Sequence, residues 1–330
     1  MSLNIKPNAY QERHSSHPAF DKIKQSCIEE LNKKGFNVDV YLLRGGVGVR
    51  LLDKNHPSLA HIAHLPIIEF DFDYSGEPSL EHLSFFSLQG LRLSQSNLSS
   101  FSELERFNLK KLYLNGVQAT DFESLSIHPL IELSLQRTNV KSLKFLGKSS
   151  IEVLFLSQTE VTNKELEYLK GKKLRKIDLF KCPVSDLSSV CQDHLEEVVI
   201  SGSQVEDLSP LSESPIKKLE MRATKIESLT PISNCPLEIL HLPGSRISCL
   251  KAISYCPILE LNLIGLDIAD LSPLLNMPLR KLSISRDDLN EKQIGILEQL
   301  DLKVLHSPND PMDQKPVDFF RKIWKTRSDQ

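Results

Sequence analysis

Several features are missing from this sequence of 330 residues, and each absence removes a class of function. No apolar run approaches the ~18 residues that a membrane-crossing helix needs. The N-terminal stretch is polar and has no apolar core, so no secretory signal peptide is expected. Charge of one sign is not in excess. Forty Lys and Arg against 43 Asp and Glu leave a formal charge of −3, so no whole-chain field points to nucleic acid or a membrane surface. The six cysteines (Cys27, Cys182, Cys191, Cys235, Cys249 and Cys256) form no CxxC pair. Their scatter implies reduced, mostly buried thiols and a cytoplasmic location. With 40% hydrophobic and 25% charged residues, the chain suits a folded protein with an ample core.

What is abundant is self-similarity. Between residues 88 and 300 the pattern LxxLxLxxTxVxxLxxLxxxP recurs. Its first apolar position falls at Leu88, Leu109, Leu130, Ile151, Leu174, Leu195, Ile216, Leu237, Ile258, Leu279 and Leu302. The steps are 21 residues, lengthening to 23 after Ile151 and after Leu279. An earlier unit begins at Ile67, with Phe70, Phe72, Leu80 and Leu83 in register, and a weaker one carries Val49, Leu51, Leu59 and Ile62. Thirteen units in register define a solenoid.

Each unit has a physical reading. The LxL core alternates with period two, so it is a short strand with its leucines turned inward. The small polar residue that follows (Thr138, Thr159, Ser203, Thr224 or Ser245) offers a hydroxyl to the turning backbone. The Asp-Leu-Ser-Pro-Leu runs at 207–211 and 270–274 supply a cap, an early proline and two inward leucines, which suits a 3-10 turn on the outer face. The longer units carry helical segments around Asn163–Leu169 and Asn290–Leu300. Stacked at ~4.8 Å per strand, thirteen units make a parallel sheet roughly 60 Å long.

The ends need lids. Residues 15–52 read as an N-terminal cap: a helix over 18–34, with Phe20, Ile23, Cys27, Ile28 and Leu31 at helical spacing, then two strands joined at Arg44-Gly45-Gly46. Residues 307–330 hold a capping helix that places Val317, Phe320, Ile323 and Trp324 on one face. Residues 1–14 and 326–330 are polar and expected to be disordered.

The LxxLxLxxT signature and the Asp-Leu-Ser-Pro-Leu turns resemble bacterial leucine-rich repeats of the short, 21-residue type, the internalin-like class. The likeness covers residues 46–306. It implies an α/β solenoid, right-handed and curved, with a parallel sheet on the concave face and short turns on the convex face. The block Ile28–Leu52 and the tail Pro316–Trp324 are similar to the segments flanking such arrays in bacterial serine/threonine kinase–leucine-rich repeat proteins. This sequence carries no kinase domain, so no kinase activity is carried over. What the resemblance implies is a scaffold for protein interaction. A recognition module of a kinase-linked signalling system and a host-directed effector stay open as alternatives.

Chemistry-bearing constellations are weak. Arg44-Gly45-Gly46-Val47-Gly48-Val49 lacks the Lys-Ser or Lys-Thr of a phosphate loop and lies between strands, so it reads as a hairpin turn. Arg286-Asp287-Asp288-Leu289-Asn290 lacks the other parts of a kinase catalytic loop. His56, His61 and His64 fall in a loop region without the further ligand a metal would need. Glu69, Asp71 and Asp73 share one strand face. They read as a solvated acidic patch answered by Arg92 rather than as a calcium site. No enzyme activity, cofactor or metal is expected, nor any nucleic acid or membrane partner.

The strand face is the better candidate. The middle of each LxL core gives, among others, Arg92, Tyr113, Phe155, Val199 and His241, and the next outward position gives Phe180 and Arg222. Tyr113, Phe155 and Phe180 therefore cluster on the concave face, flanked by Val199, Arg137 and Lys181. Phe155 and Phe180 are expected on adjacent strands, within reach of one another at ~5 Å strand spacing. Aromatic and arginine side chains on a rigid face are common interface anchors, so a protein partner is expected here.

Overall fold

Burying the leucines of the LxL cores is what coils the chain. Leu133 and its ladder neighbour Leu154 are both wholly inaccessible to solvent. Full burial of one such side chain is worth ~1.5–3 kcal/mol, and it is available only by stacking one unit on the next. The computed structural model describes residues 18–72, 80–191, 193–287, 289–308, 310–311 and 313–328. The segment 1–14 lies outside the described residues.

The N-terminal helix α1 (Pro18–Lys33) packs on a hairpin of β1 (Val38–Leu43) and β2 (Gly46–Leu51), turning at Arg44 and Gly45 with Gly45 at φ 98°. The glycine is needed there, because that left-handed angle is strained for a residue with a Cβ. Helix α1 buries Cys27 and Leu31, whereas Ile23 is exposed, against the expected face. The helical stripe is continuous in sequence, and its members seen packed on the core are Cys27, Ile28 and Leu31 of the C-terminal half.

Strand β3 (Ile67–Phe72) starts the regular array. It continues through β4 (Gly90–Arg92), β5 (Lys111–Tyr113), β6 (Glu132–Ser134), β7 (Val153–Phe155) and β8 (Lys176–Asp178). Strands β9 (Glu197–Val199), β10 (Lys218–Glu220), β11 (Ile239–His241), β12 (Glu260–Asn262), β13 (Lys281–Ser283) and β14 (Val304–His306) complete it. Sheet order equals chain order, and every pairing after the β1–β2 hairpin is parallel. From β2 onward there are thus thirteen parallel strands, one for each unit read from the sequence.

Where a threonine follows the strand, the turn closes through its hydroxyl, whereas the Ser245 hydroxyl at the same position has no partner among the described residues. The hydroxyls of Thr138, Thr159 and Thr224 donate to the carbonyls of Leu135, Leu156 and Met221 at 2.7, 2.8 and 2.9 Å. The residue just before this position is left-handed: Arg137, Gln158, Lys181 and Ala223 have φ between 52° and 58°. Glycines 116, 202, 244 and 265 hold the same place in other units. On the outer face, 3-10 turns at Ser209–Leu211 and Thr230–Ile232 carry Pro210 and Pro231 in their first turn. Asp207 accepts the Ser209 N–H at 2.8 Å, one position earlier than a helix cap.

The two longer units hold the expected helices. Helix α2 (Asn163–Leu166) continues as a 3-10 turn to Leu169. Helix α3 (Glu291–Leu297) is closed by a reciprocal pair: Asn290 accepts from Gln293 N–H at 2.9 Å and Gln293 accepts from Asn290 N–H at 2.8 Å.

The C-terminal helix α4 (Pro316–Ser328) covers β14. Of the expected face, Ile323 is nearly buried and Phe320 packs partly against the core, but Val317 is 58% exposed and Phe319, not expected there, is fully buried. Phe319 and Ile323 stand four residues apart and so share a stripe. Asp310 accepts from Arg286 Nη1 at 3.0 Å and from Lys322, tying the last turns to α4. Helix α4 runs through Ser328, beyond the expected start of a disordered tail at 326, since no proline or glycine interrupts it. No helix among the described residues is long and apolar enough to cross a membrane.

Candidate functional site

Parallel strands in register turn one sequence position of each unit into a row across the sheet. The second concave row runs Asp71, Arg92, Tyr113, Ser134, Phe155, Asp178, Val199, Glu220, His241, Asn262, Ser283 and His306. Its members up to Ser283 are the middle residues of the LxL cores, as period two requires. A first row, not singled out from sequence, runs beside it: Lys111, Glu132, Val153, Lys176, Glu197, Lys218, Ile239, Glu260 and Lys281. It was legible in principle, because it shares the parity of the second row and largely alternates in charge.

Most charges of these two rows are matched within the sheet. Lys176 pairs with Glu197 at 2.8 Å, and Lys218 with Glu220 at 2.8 Å. Glu260 takes both His241 Nε2 at 3.2 Å and Lys281 Nζ at 2.8 Å. The His241 hydrogen bond, together with the Lys281 cation and against the opposing effect of burial, holds the Glu260 carboxyl down at about 2.

A tighter network fills the N-terminal end. Tyr41 donates to Glu69 Oε1 at 2.7 Å. Asp71, almost fully buried, lies between Arg50 Nε at 2.8 Å and Arg92 Nε at 3.2 Å. The Arg92 guanidinium stacks 3.7 Å from the centre of the Tyr113 ring, and the Tyr113 hydroxyl donates to Glu132. Burial, and after it the adjacent glutamates, push both phenols well above the ordinary tyrosine range. Two glycines make room: a Cβ on Gly48 would lie 2.2 Å from the Tyr41 ring, and one on Gly90 would lie 2.6 Å from Glu69 Oε2. The acidic patch read from sequence is therefore mostly neutralised in place, by Arg50 as well as Arg92, and Asp73 lies outside the described residues.

The sequence-selected site residues fall into two groups. Tyr113 and Arg92 belong to the N-terminal network, and His241 is paired with Glu260, so all three are engaged within the sheet. Phe155, Phe180 and Val199 are half-buried and present apolar surface. Phe155 stands beside Ser134 and Asp178 in its row, while Phe180 lies two residues further along the neighbouring strand. Diagonal neighbours of this kind are ~7–8 Å apart rather than in direct opposition. Each ring has a cation near it instead: Lys176 Nζ is 5.3 Å from the Phe155 centroid, and Lys181 Nζ is 5.2 Å from that of Phe180. Between them Asp178 accepts the Phe180 N–H at 2.9 Å and a Ser157 hydroxyl, and burial pushes its carboxyl up. Arg137 and Lys181 occupy the left-handed turn position, so they form the rim of the concave face. Arg222 is exposed on the same side.

The remaining constellations separate. His64 pairs with Glu30 at 2.6 Å and His56 Nδ1 is bonded to the Pro57 carbonyl at 2.8 Å, so the loop histidines share no centre. Arg286 is committed to Asp310, and Leu289 packs against the core.

No protein-family model and no curated protein matches the chain. Solved structures do. An internalin (InlF) from Listeria monocytogenes superposes with a TM-score of 0.61 at 20% identity, over 79% of this chain and 82% of that one. A leucine-rich repeat protein from Leptospira interrogans gives 0.56 at 22% identity, over 78% and 75%. The functional domain of InlJ from Listeria monocytogenes gives 0.51 at 16% identity, over 78% of this chain and 58% of that one. The chain has the leucine-rich repeat fold of the bacterial internalin kind.

Proposed function

We propose that this chain is a non-enzymatic scaffold that binds a protein partner through its concave sheet, with Phe155, Phe180 and Val199 as the apolar anchors. One observation carries the reading. These side chains offer accessible apolar surface beside strand lysines, Lys176 and Lys218, that are already paired with Glu197 and Glu220, so covering them does not strand those ions. A rigid parallel sheet also loses little conformational entropy on binding. The leucine-rich repeat fold supports the reading, since solenoids offer extended concave surfaces for binding. Six unpaired cysteines, four of them buried, fit a reducing compartment such as the cytoplasm.

The test is affinity capture from native lysate with the wild type beside a Phe155→Ala/Phe180→Ala variant whose fold is verified by circular dichroism. A partner enriched by the wild type and lost by the folded variant supports the concave face. A partner retained by both moves the site to the convex face or the caps.

A further inference from the structure

The concave face is not electrically uniform once its internal pairs are counted. Glu132 accepts the Tyr113 hydroxyl, Glu197 takes Lys176, Glu220 takes Lys218, and Glu260 takes His241 and Lys281. On the rim the balance differs. Arg137 donates from Nε to the neutral Gln158 at 2.8 Å, Lys181 stands over the Phe180 ring, and Arg222 is exposed. Among the described residues none of the three has a carboxylate partner. They follow β6, β8 and β10: Arg137 and Lys181 hold the left-handed turn position, as Gln158 and Gly202 do in the units between, and Arg222 stands one residue before it, in the outward position that Phe180 holds in its unit. At ~4.8 Å per strand they are spaced ~10 Å apart over ~20 Å, alongside Phe155 and Phe180.

Resting on the concave-face reading above, we infer that the partner presents an acidic, extended protein segment. It lies along the solenoid with carboxylates on Arg137, Lys181 and Arg222 and apolar side chains over Phe155 and Phe180. Three uncompensated cations beside an apolar strip call for a ligand that is both anionic and apolar. A nucleic acid lying in the same groove would bring a phosphate against Glu132, whose partner among the described residues is the neutral Tyr113 hydroxyl and not a cation. A peptide with separately placed side chains avoids this.

A phage-displayed library of random peptides of about 12 residues, panned on the immobilised full chain, tests the inference. The same library is panned on Arg137→Glu/Lys181→Glu/Arg222→Glu, on the corresponding triple Gln variant, and on Phe155→Ala/Phe180→Ala. All are checked for fold by circular dichroism. The wild type is expected to select Asp- and Glu-rich peptides. Their affinity is expected to fall roughly tenfold or more on the charge-reversed variant, less on the Gln variant, and to weaken with added salt. A wild-type pool without acidic enrichment, an empty pool included, overturns the inference. So does an acidic peptide that binds the charge-reversed variant unchanged, or tighter charge-dependent binding of a fluorescent oligothymidylate. Binders lost only on Phe155→Ala/Phe180→Ala sink the acidic partner but leave the concave-face reading standing. Binders indifferent to every variant sink both.

Discussion

Gly48→Ala should be among the most damaging single-methyl changes in the N-terminal cap, although its backbone has no conformational need for glycine. The reason is an aromatic ring. Gly48 lies directly opposite Tyr41 in the antiparallel hairpin, and an added Cβ would stand 2.2 Å from two ring carbons and 2.7 Å from the hydroxyl oxygen. Ordinary contact needs well over 3 Å, so the ring must move by more than an ångström. That breaks its 2.7 Å bond to Glu69, whose carboxylate is seated over Gly90. Overpacking costs about 1–3 kcal/mol. Loss of a hydrogen bond to a carboxylate adds about 1.5–3 kcal/mol. Replacing glycine inside a strand returns about 0.5–1 kcal/mol. The net expectation is a loss of about 1.5–5.5 kcal/mol, read from the urea midpoint by far-ultraviolet circular dichroism at constant slope. In a Tyr41→Ala background the obstacle is gone, and Gly48→Ala should then be neutral or slightly stabilising. The double-mutant cycle isolates this coupling. Equal cost in both backgrounds would refute the ring-on-glycine account.

Glu260→Gln should lose about 1–2 kcal/mol at neutral pH, the fall from 4.5 to about 2 being discounted because the side chain is 29% exposed. A lowered carboxyl stabilises the fold above its unfolded value of 4.5, and that contribution disappears as pH falls towards about 2. Melting curves of wild type and variant should therefore converge across that window, and a gap persisting at the acid end would count against the Lys281 and His241 pairing. At the other cap, Phe319→Ala should cost about 3–5 kcal/mol by thermal or urea denaturation, whereas Val317→Ala should cost under about 0.5. Equal losses would mean that α4 docks by the face the sequence pattern suggested.

Much of the solenoid was legible because its determinants are local. Leu91, Leu112, Leu133 and Leu154 recur at a constant step, and period two then decides which neighbours face outward, so Arg92, Tyr113, Ser134 and Phe155 fell into one row as expected. Thr138 and Thr159 closed their turns three residues back, also a local event. The same locality explains the hairpin at Arg44-Gly45 and the capped helix after Asn290.

Contacts between units were not legible, and they reshape the candidate site. Tyr113 read as a free aromatic anchor, but Arg92 from the preceding strand covers its ring and Glu132 from the following strand takes its hydroxyl. Phe155 and Phe180 read as touching neighbours, but their offset along adjacent strands gives each a lysine instead. Val317 and Phe319 differ only in which side of a helix meets β14. By itself the sequence determined the repeat, the strand parity and the turns, since these depend on residues a few positions apart. The tertiary structure alone decided which outward side chains are consumed by one another and which stay available. Those neighbours are about 19–21 residues apart in the chain, and only coiling brings them to ~5 Å.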